Sequence, residues 1–226
     1  MRAIVPILLL FIAAQDRNTE LRERMVQRQI EDRGITDPRV LETMRQVPRH
    51  LFMPEEVRSA AYQDSPVPIG RGQTISQPYI VAFMTDLLKT RPSDIVLEIG
   101  TGSGYQAAVL ARLAKHVYTI EIVPDLARSA TSTLDRLGYA NVTVRVGDGY
   151  KGWPERAPFD RIILTAAPPE LPQALIDQLK PGGRLVAPVG RSWDQELIVI
   201  EKAPDGKLKR RSALPVRFVP MVKPPR

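Results

Sequence analysis

A glycine-rich turn at residues 98–104 holds the residues whose types and spacing most clearly suggest a ligand site. Its members are Glu98, Ile99, Gly100, Thr101, Gly102, Ser103 and Gly104. Glycines let a backbone approach a bound molecule closely. A dinucleotide fingerprint would need its third glycine where Tyr105 stands, and no lysine occurs between Lys89 and Lys115 to end a phosphate-binding loop. The remaining interpretation is a turn in which an acid precedes alternating glycines.

Two more acids follow the next two predicted strands. Glu121 ends the second strand, about 20 residues past the first glycine, where a carboxylate can accept both hydroxyls of a ribose. Asp148 follows the third strand and precedes Gly149, where an acid can accept the amino group of an adenine. By itself, Glu121 would more simply be a solvated strand end. Together the acids and glycines predict a site for the methyl donor S-adenosylmethionine, in which Glu98 faces the cationic methionine end.

Alternating strands and helices must position these residues. Apolar strands separated by helices indicate parallel pairing with helices on both faces of the sheet. The predicted fold class is α/β, a doubly wound, mostly parallel sheet of the Rossmann-like methyltransferase type. All three acids then lie at the carboxyl ends of strands, where open α/β sheets bind ligands. The predicted strands are 95–99, 117–120, 142–146, 161–164 and 184–188, with edge strands at 196–201 and 212–219. The predicted helices between them are 105–114, 124–137 and 171–179.

A helical segment precedes the sheet. Asn18 or Thr19 can cap a helix that runs to about residue 33, and Gly34 can end it. A second helix is predicted to begin at the Asp37-Pro38 pair, with aspartate as the cap and proline at the first helical position. A third is predicted to begin at Pro78. The N-terminal part of the chain is therefore expected to be helical.

We predict one methyltransferase domain over residues 19–226. Residues 19–93 would form the helical segment and the active-site loop, and residues 94–226 the donor-binding sheet and the C-terminal strands. Within the first part, residues 64–72 contain two prolines and two glycines and predict an irregular loop. Residues 1–18 would be an apolar extension. Its run at residues 5–14 is too short for a transmembrane helix, which needs about 20 residues, and matches either a secretory signal or an arm packed on the domain.

The formal net charge of +7 comes from the C-terminal segment. Residues 202–226 contain eight Lys or Arg and one acid, so residues 1–201 are neutral. Such a segment could dock an acidic peptide or a nucleic acid, or it could be a solvated strand and loop. The sequence has no cysteine and two histidines, so we expect no metal site.

Residues 70–80 read GRGQTISQPYI, and related motifs stand at 47–52, 97–105, 147–149, 179–185 and 216–220. Over about residues 20–222 the chain resembles the protein-L-isoaspartate (D-aspartate) O-methyltransferase family. The Thr-Ile-Ser-Gln-Pro run is specific to that family among methyltransferases. The resemblance implies methyl transfer from S-adenosylmethionine to the free carboxylate of L-isoaspartyl and D-aspartyl residues in damaged proteins and peptides, followed by repair through a succinimide. It also implies a cytoplasmic monomer that does not bind nucleic acid.

The same resemblance implies roles for individual residues. Ser76 would be the active-site hydroxyl, and the loop at 73–76 would cover the donor. Ile75, Ser76 and the backbone of Val219 would hold the peptide. The residues that would bind the donor are Gln73, Thr74, Glu98, Gly100, Thr101, Gly102, Ser103, Gly104, Glu121, Asp148 and Gly149. The first fourteen residues lie outside the family pattern, so an exported, periplasmic location is also compatible with the sequence.

The chemistry is compatible with two roles for Ser76. An acceptor carboxylate is ionised at neutral pH and needs no general base, and the Ser76 hydroxyl can orient it with one hydrogen bond. Ser76 could also be the N-cap of the helix that starts at Pro78.

The methyl acceptor is constrained by the segment after the fourth strand. Methyltransferases of base amines carry Asp or Asn, two prolines and an aromatic residue there, whereas residues 166–170 here read AAPPE. This difference argues against methylation of nucleic-acid bases. Two further functions stay open: an RNA or small-molecule methyltransferase, and a silent binding module that uses the basic segment.

Overall fold

The computed structural model describes residues 17–191 and 194–223, with a seven-stranded sheet at the centre. The strands are β1 (Val67–Gly70), β2 (Gln73–Ile75), β3 (Ile95–Ile99), β4 (His116–Glu121), β5 (Val142–Val146), β6 (Phe159–Leu164), β7 (Leu179–Arg191), β8 (Asp194–Lys202) and β9 (Leu208–Val216). The helices are α1 (17–25), α2 (Pro38–Gln46), α3 (Pro78–Leu88), α4 (Tyr105–Ala111), α5 (Pro124–Arg136) and α6 (Gln173–Asp177). The signal-like run at 5–14 lies outside the described residues. Within them, no helix is long and apolar enough to cross a membrane.

The central sheet has the strand order β5-β4-β3-β6-β7-β8-β9. β3 pairs in parallel with both β4 and β6, and the next strands, β5 and β7, are parallel as well. β8 and β9 extend the sheet in antiparallel pairing. The predicted doubly wound, mostly parallel sheet is therefore confirmed. Because the chain leaves β3 first toward β4 and later returns to β6 on its other side, a crevice opens beyond the carboxyl end of β3.

The last strand and the last helix differ from their predicted boundaries. β9 begins at Leu208 rather than 212 and ends at Val216 rather than 219. Its first half is exposed and basic, so it shows no apolar alternation, although its main chain pairs with β8 as far as the Lys202 and Leu208 pair. The helix predicted at 171–179 is restricted to α6, because Leu179 already belongs to β7.

Helix α1 continues into a π-helical turn at Val26–Ile30 and a 3-10 turn at Glu31–Arg33. Gly34 ends this helix in the left-handed conformation, with φ +94°, as predicted. The predicted cap at Asn18 or Thr19 is wrong, because residue 17 is already helical and both residues lie inside α1. Capping residues resemble ordinary polar residues of a helix surface, so the sequence pattern did not locate this helix start.

The two helices predicted to begin at prolines do so. α2 begins at Pro38, and the Asp37 carboxylate accepts the backbone N–H of Arg39 at 3.0 Å. α3 begins at Pro78. A proline fits the first helical position because the N–H that it lacks would have no partner within the helix.

Residues 64–72 are more regular than the predicted loop. β1 and β2 form an antiparallel hairpin in which Val67 and Ile69 are buried and alternate with exposed residues. The prolines and glycines of the segment hid this alternation from the sequence pattern. The hairpin turn has φ +92° at Gly70, +54° at Arg71 and +70° at Gly72, a conformation that glycine adopts without strain. The hairpin leads directly into the loop that carries Ser76.

Helix α4 is buried over its whole length. Ala107 and Leu110 pack in the same apolar cluster as Val96 and Val117 of the sheet. Tyr105 belongs instead to the cluster formed with the N-terminal segment. A helix that is apolar all round must be covered on all sides. Because α4 starts directly after the glycine turn, this double packing holds the turn between the sheet and the N-terminal segment.

Candidate active site

A cleft of about 890 Å³, including the solvent at its mouth, lies beyond the carboxyl ends of β3 and β4. It brings together strand β2 with Ser76, the glycine turn, the end of β4 and the C-terminal segment at 219–222. The predicted site residues that line it are Gln73, Thr74, Ile75, Ser76, Gly100, Thr101, Gly102, Ser103, Glu121, Gly149 and Val219. The predicted site residues that do not line it are Glu98, Gly104 and Asp148.

The glycine turn is held against β4 by its backbone. The N–H groups of Gly100 and Thr101 donate to the carbonyl of Ile120 at 2.8 and 3.3 Å. Gly100 has φ +100°, and a Cβ there would lie 2.5 Å from the Thr165 hydroxyl, so the close approach requires glycine. Gly104 has φ +84° and faces Leu134 and the rest of α5 rather than the cleft. Its role is therefore the left-handed start and tight packing of α4.

The Glu121 carboxylate faces the glycine turn. One oxygen accepts the Gly102 N–H at 2.8 Å, and the other accepts the Val123 N–H at 3.0 Å. The side chain is almost completely buried. A carboxylate has about four lone-pair sites, so two remain after these bonds. Glu121 can thus hold two hydroxyl groups of a ligand while it fixes the turn, and this arrangement fits the ribose of S-adenosylmethionine.

Glu98 lies behind the turn and is fully buried. Its Oε2 accepts the Thr119 hydroxyl at 2.6 Å, and Thr119 in turn hydrogen bonds to the Thr101 hydroxyl at 2.7 Å. This contact follows from the sheet register, which pairs Glu98 with Thr119. Burial raises the pKa of the Glu98 carboxyl to about 8; the Thr119 hydrogen bond opposes this rise and the charge of Glu121 adds to it. Glu98 therefore reaches the cleft only through the two threonines.

The buried Glu98 carboxyl predicts a pH-dependent stability. Its pKa is about 8 in the folded chain, against an ordinary value of 4.5. The unfolded chain releases the proton first, so stability should fall as the pH rises from about 4.5 to 8, by at most about 1.4 kcal/mol per pH unit. Glu98→Gln removes the titrating group, so its unfolding free energy relative to the parent should increase over this range. Urea unfolding at several pH values measures this difference. Glu155→Gln, at an exposed carboxylate, is the control, and a parallel pH dependence for Glu98→Gln and the parent would contradict the assignment.

Asp148 and Gly149 follow β5 at the side of the cleft. The Asp148 side chain accepts the Tyr150 N–H at 3.0 Å and so caps a short 3-10 turn at Gly149–Lys151. Gly149 itself lines the cleft. A Cβ on Gly149 would overlap Ile99 and would lie 2.9 Å from the Met221 methyl group. The glycine is thus required for the close packing of β3 and the C-terminal segment at this end of the site.

Ser76 is half-buried in the wall of the cleft, between the end of β2 and the start of α3. The N-cap of α3 is Gln77, with no side-chain capping bond, so the interpretation of Ser76 as the N-cap is wrong. Gln77 instead donates to Asp64 at 2.8 Å. In the part of the chain that the structure describes, the Ser76 hydroxyl makes no hydrogen bond, so it is available to a ligand.

Two features of the cleft were not predicted from the sequence. The Thr165 hydroxyl donates to the carbonyl of Gly100 at 2.5 Å and joins the end of β6 to the glycine turn. The C-terminal segment crosses the cleft, where Ala167 donates to the Val219 carbonyl at 2.9 Å and accepts from Met221 N–H at 2.8 Å. The side chains of residues 166–170 (AAPPE) argued only against base recognition. The structure shows that the main chain of this segment binds the C-terminal segment, a contact that residue types alone do not indicate.

Within residues 17–191 and 194–223, no group of His, Cys, Asp and Glu side chains could hold a metal ion. The polar groups that line the cleft include the hydroxyl groups of Ser76, Thr101 and Ser103 and the carboxylate of Glu121. The parallel sheet, the glycine turn after β3 and the acid at the end of β4 together define a Rossmann-like, S-adenosylmethionine-dependent methyltransferase.

Comparison with known proteins identifies the family within this class. Residues 20–225 match the family model described as Protein-L-isoaspartate(D-aspartate) O-methyltransferase. A protein-L-isoaspartate O-methyltransferase of Synechococcus sp. (strain JA-2-3B'a(2-13)) is 56% identical over 216 residues, which cover 92% of this chain and 88% of that protein. One from Opitutus terrae is 51% identical over 230 aligned residues and covers 99% of both chains. The chain belongs to the protein-L-isoaspartate(D-aspartate) O-methyltransferase family.

Two solved structures agree with this membership. A protein-L-isoaspartate O-methyltransferase matches with a TM-score of 0.80 and 30% identity, over 88% of this chain and 65% of the solved one. A putative member from Plasmodium falciparum, solved with S-adenosyl-L-homocysteine, matches with a TM-score of 0.77 and 27% identity, over 89% of this chain and 98% of the solved one. The helical N-terminal segment and the sheet are thus a shared arrangement.

Proposed function

We propose that this chain transfers a methyl group from S-adenosylmethionine to the free carboxylate of L-isoaspartyl and D-aspartyl residues in damaged proteins and peptides. The observation that carries the proposal is the Ser76 hydroxyl, which has no hydrogen-bond partner among the described residues and lines the same cleft as the glycine turn. A carboxylate that accepts from Ser76 would therefore lie in the same cleft as the donor. The later repair through a succinimide needs no further residue of this chain.

The proposed residue roles follow from the arrangement of the cleft. The glycine turn, Glu121 and Gly149 would hold the donor, which supplies an electrophilic methyl sulfonium when bound. An isoaspartyl carboxylate is already ionised at neutral pH, so the chain has no proton to remove. Ser76 would donate to one carboxylate oxygen and orient the other. Orientation of two reactants can lower a barrier by roughly 7–11 kcal/mol, which explains how a cleft without a general base can catalyse the transfer.

The hairpin β1–β2 supports the proposed cover over the donor. Ile69 of this hairpin lies 3.6 Å from the position of a Cβ on Gly102. Arg71 at the hairpin tip forms an ion pair with Asp125 at the start of α5. These contacts join the hairpin to the glycine turn and to the start of α5. Residues 73–75, expected as a loop, are strand β2 of this hairpin, and Ser76 follows directly. The segment at 73–76 is therefore held beside the proposed donor site.

The proposed activity is tested with S-adenosylmethionine labelled on its methyl group. Paired peptides that differ only in a normal or an isoaspartyl linkage are incubated with the protein, together with a D-aspartyl peptide. We expect label in the isoaspartyl peptide, weaker label in the D-aspartyl peptide and none in the normal one. The label should be lost in mild alkali, because carboxyl methyl esters hydrolyse there. Equal labelling of the normal and isoaspartyl peptides, or alkali-stable label on RNA, would contradict the proposal.

We propose in addition that residues 19–226 form a single domain and that the chain acts as a cytoplasmic monomer. Light scattering at several concentrations would measure the mass in solution, and a mass twice that of the chain would contradict a monomer. Fractionation would test the location, since a mature chain beginning near Gln15 would indicate export instead.

A further inference from the structure

Gln195 holds a backbone segment that leads into the cleft. This side chain is 4% exposed and lies near the start of β8. Its Oε1 accepts the Phe218 N–H at 2.7 Å, and its Nε2 donates to the Phe218 carbonyl at 3.2 Å. Both backbone groups of one residue are thus bound by one amide. Phe218 directly precedes Val219, which lines the cleft.

The Gln195 side chain binds the chain two residues beyond the last residue of β9 that pairs with β8. The ladder between β8 and β9 finishes with Gln195 opposite Val216. A glutamine amide presents the same donor and acceptor as a peptide group. Gln195 therefore extends the pairing by its side chain and directs the chain toward the cleft.

The segment after Phe218 makes further hydrogen bonds, but one of its backbone N–H groups has no acceptor among the described residues. Val219 accepts from Ala167 at 2.9 Å, and the Met221 carbonyl accepts the Tyr150 hydroxyl at 3.0 Å. In the described part of the chain, no acceptor takes the Val219 N–H. This N–H belongs to the same peptide group as the Phe218 carbonyl that Gln195 binds, so any shift of that carbonyl would move it.

We propose that Gln195 is a positioning residue for the acceptor peptide. By fixing both backbone groups of Phe218, it would set the direction of the Val219 N–H, which would then donate to the bound peptide. The inference rests on the proposed isoaspartyl methyltransferase function. It assigns to Gln195 an effect on peptide binding and not on the donor, which Glu121 and the glycine turn would hold at the other side of the cleft.

Gln195→Leu tests the proposal, with Gln178→Leu as the matched control. Gln178 is 8% exposed and also binds the backbone through both amide atoms, accepting from Trp153 N–H at 2.7 Å and donating to the Lys151 carbonyl at 2.8 Å. Each substitution thus removes one buried amide that clamps a backbone segment. We expect Gln195→Leu to raise the KM for an isoaspartyl peptide up to about tenfold, because the peptide would lose the one hydrogen bond from the Val219 N–H, with donor affinity unchanged. The control should lose similar thermal stability with an unchanged peptide KM.

Gln195→Glu gives a readout that a merely structural role would not produce. An ionised glutamate accepts the Phe218 N–H but repels the Phe218 carbonyl, whereas the protonated acid restores both bonds. The peptide KM of this variant, relative to the parent at each pH, should therefore fall as the pH is lowered. This variant also serves if Gln195→Leu does not fold.

The outcomes separate this inference from the proposed function. If the parent protein does not methylate the isoaspartyl peptide, the proposed function is wrong. If the parent is active but Gln195→Leu and Gln178→Leu change the peptide KM equally, or Gln195→Glu shows no relative dependence on pH, the positioning role is wrong. A raised peptide KM in the Gln195 variants alone supports the role.

Discussion

Replacing Ser76 by alanine is expected to lower kcat for an isoaspartyl peptide about a hundredfold, because misorientation of a reactant by about 1 Å can cost that much. The hydroxyl lines the cleft and makes no hydrogen bond within the described residues, so its removal leaves the fold without an orphaned partner. Donor affinity should stay within about twofold, a change of only about 0.4 kcal/mol, because Ser76 is proposed to bind the acceptor carboxylate. Single-turnover transfer and calorimetric titration of the donor measure the two quantities separately.

Two variants sharpen the Ser76 experiment. Ser76→Thr keeps a hydroxyl and should recover much of the lost rate, whereas Ser132→Ala removes an exposed hydroxyl from α5 and should change nothing. If Ser76→Ala turns over within about twofold of the parent, a loss under ~0.5 kcal/mol, the hydroxyl does not orient the acceptor. Such a result would leave the segment at 73–76 with a covering role only.

Replacing Glu121 by alanine should weaken the binding of S-adenosylmethionine about a hundredfold. Hydrogen bonds to charged groups contribute about 1.5–3 kcal/mol each, and the proposed ribose contacts are two such bonds. The substitution also frees the N–H groups of Gly102 and Val123, which loosens the glycine turn. The dissociation constant is measured by calorimetric titration with donor in the absence of peptide.

The Glu121 result is interpreted with two further variants. Glu121→Gln keeps one acceptor oxygen but turns an NH₂ group toward one of the backbone N–H groups. It should therefore weaken the binding of S-adenosylmethionine about tenfold. Glu155→Ala removes an exposed carboxylate that pairs with Arg145 and should leave donor affinity unchanged. An unchanged dissociation constant in Glu121→Ala would exclude the ribose role, and the carboxylate would then be only an anchor for the turn.

Short-range patterns were enough to predict the parallel sheet, and together with the family resemblance they gave fourteen predicted site residues, of which eleven line the cleft. β3, β4 and β6 are short apolar runs that are each followed by a helix, and the glycine turn and Glu121 stand at the ends of β3 and β4. The hairpin β1–β2 was missed because Pro68 and two glycines obscure an alternation of buried and exposed residues that spans only four residues. Strand β9 was misplaced because main-chain pairing, and not side-chain burial, defines its basic half.

The glycine turn and its acids illustrate the division between sequence and tertiary structure. The sequence by itself determined the fold class, the turn and the candidate acids, because these depend on residue type and local spacing. Only the tertiary structure decided which acid faces the cleft. Glu121 stands at the end of β4 and reaches the turn, while Glu98 stands within β3, where the register turns it toward Thr119. Gln195 and Phe218 are 23 residues apart in the sequence, and the pairing of β8 with β9 brings them together. No local sequence pattern encodes such a contact.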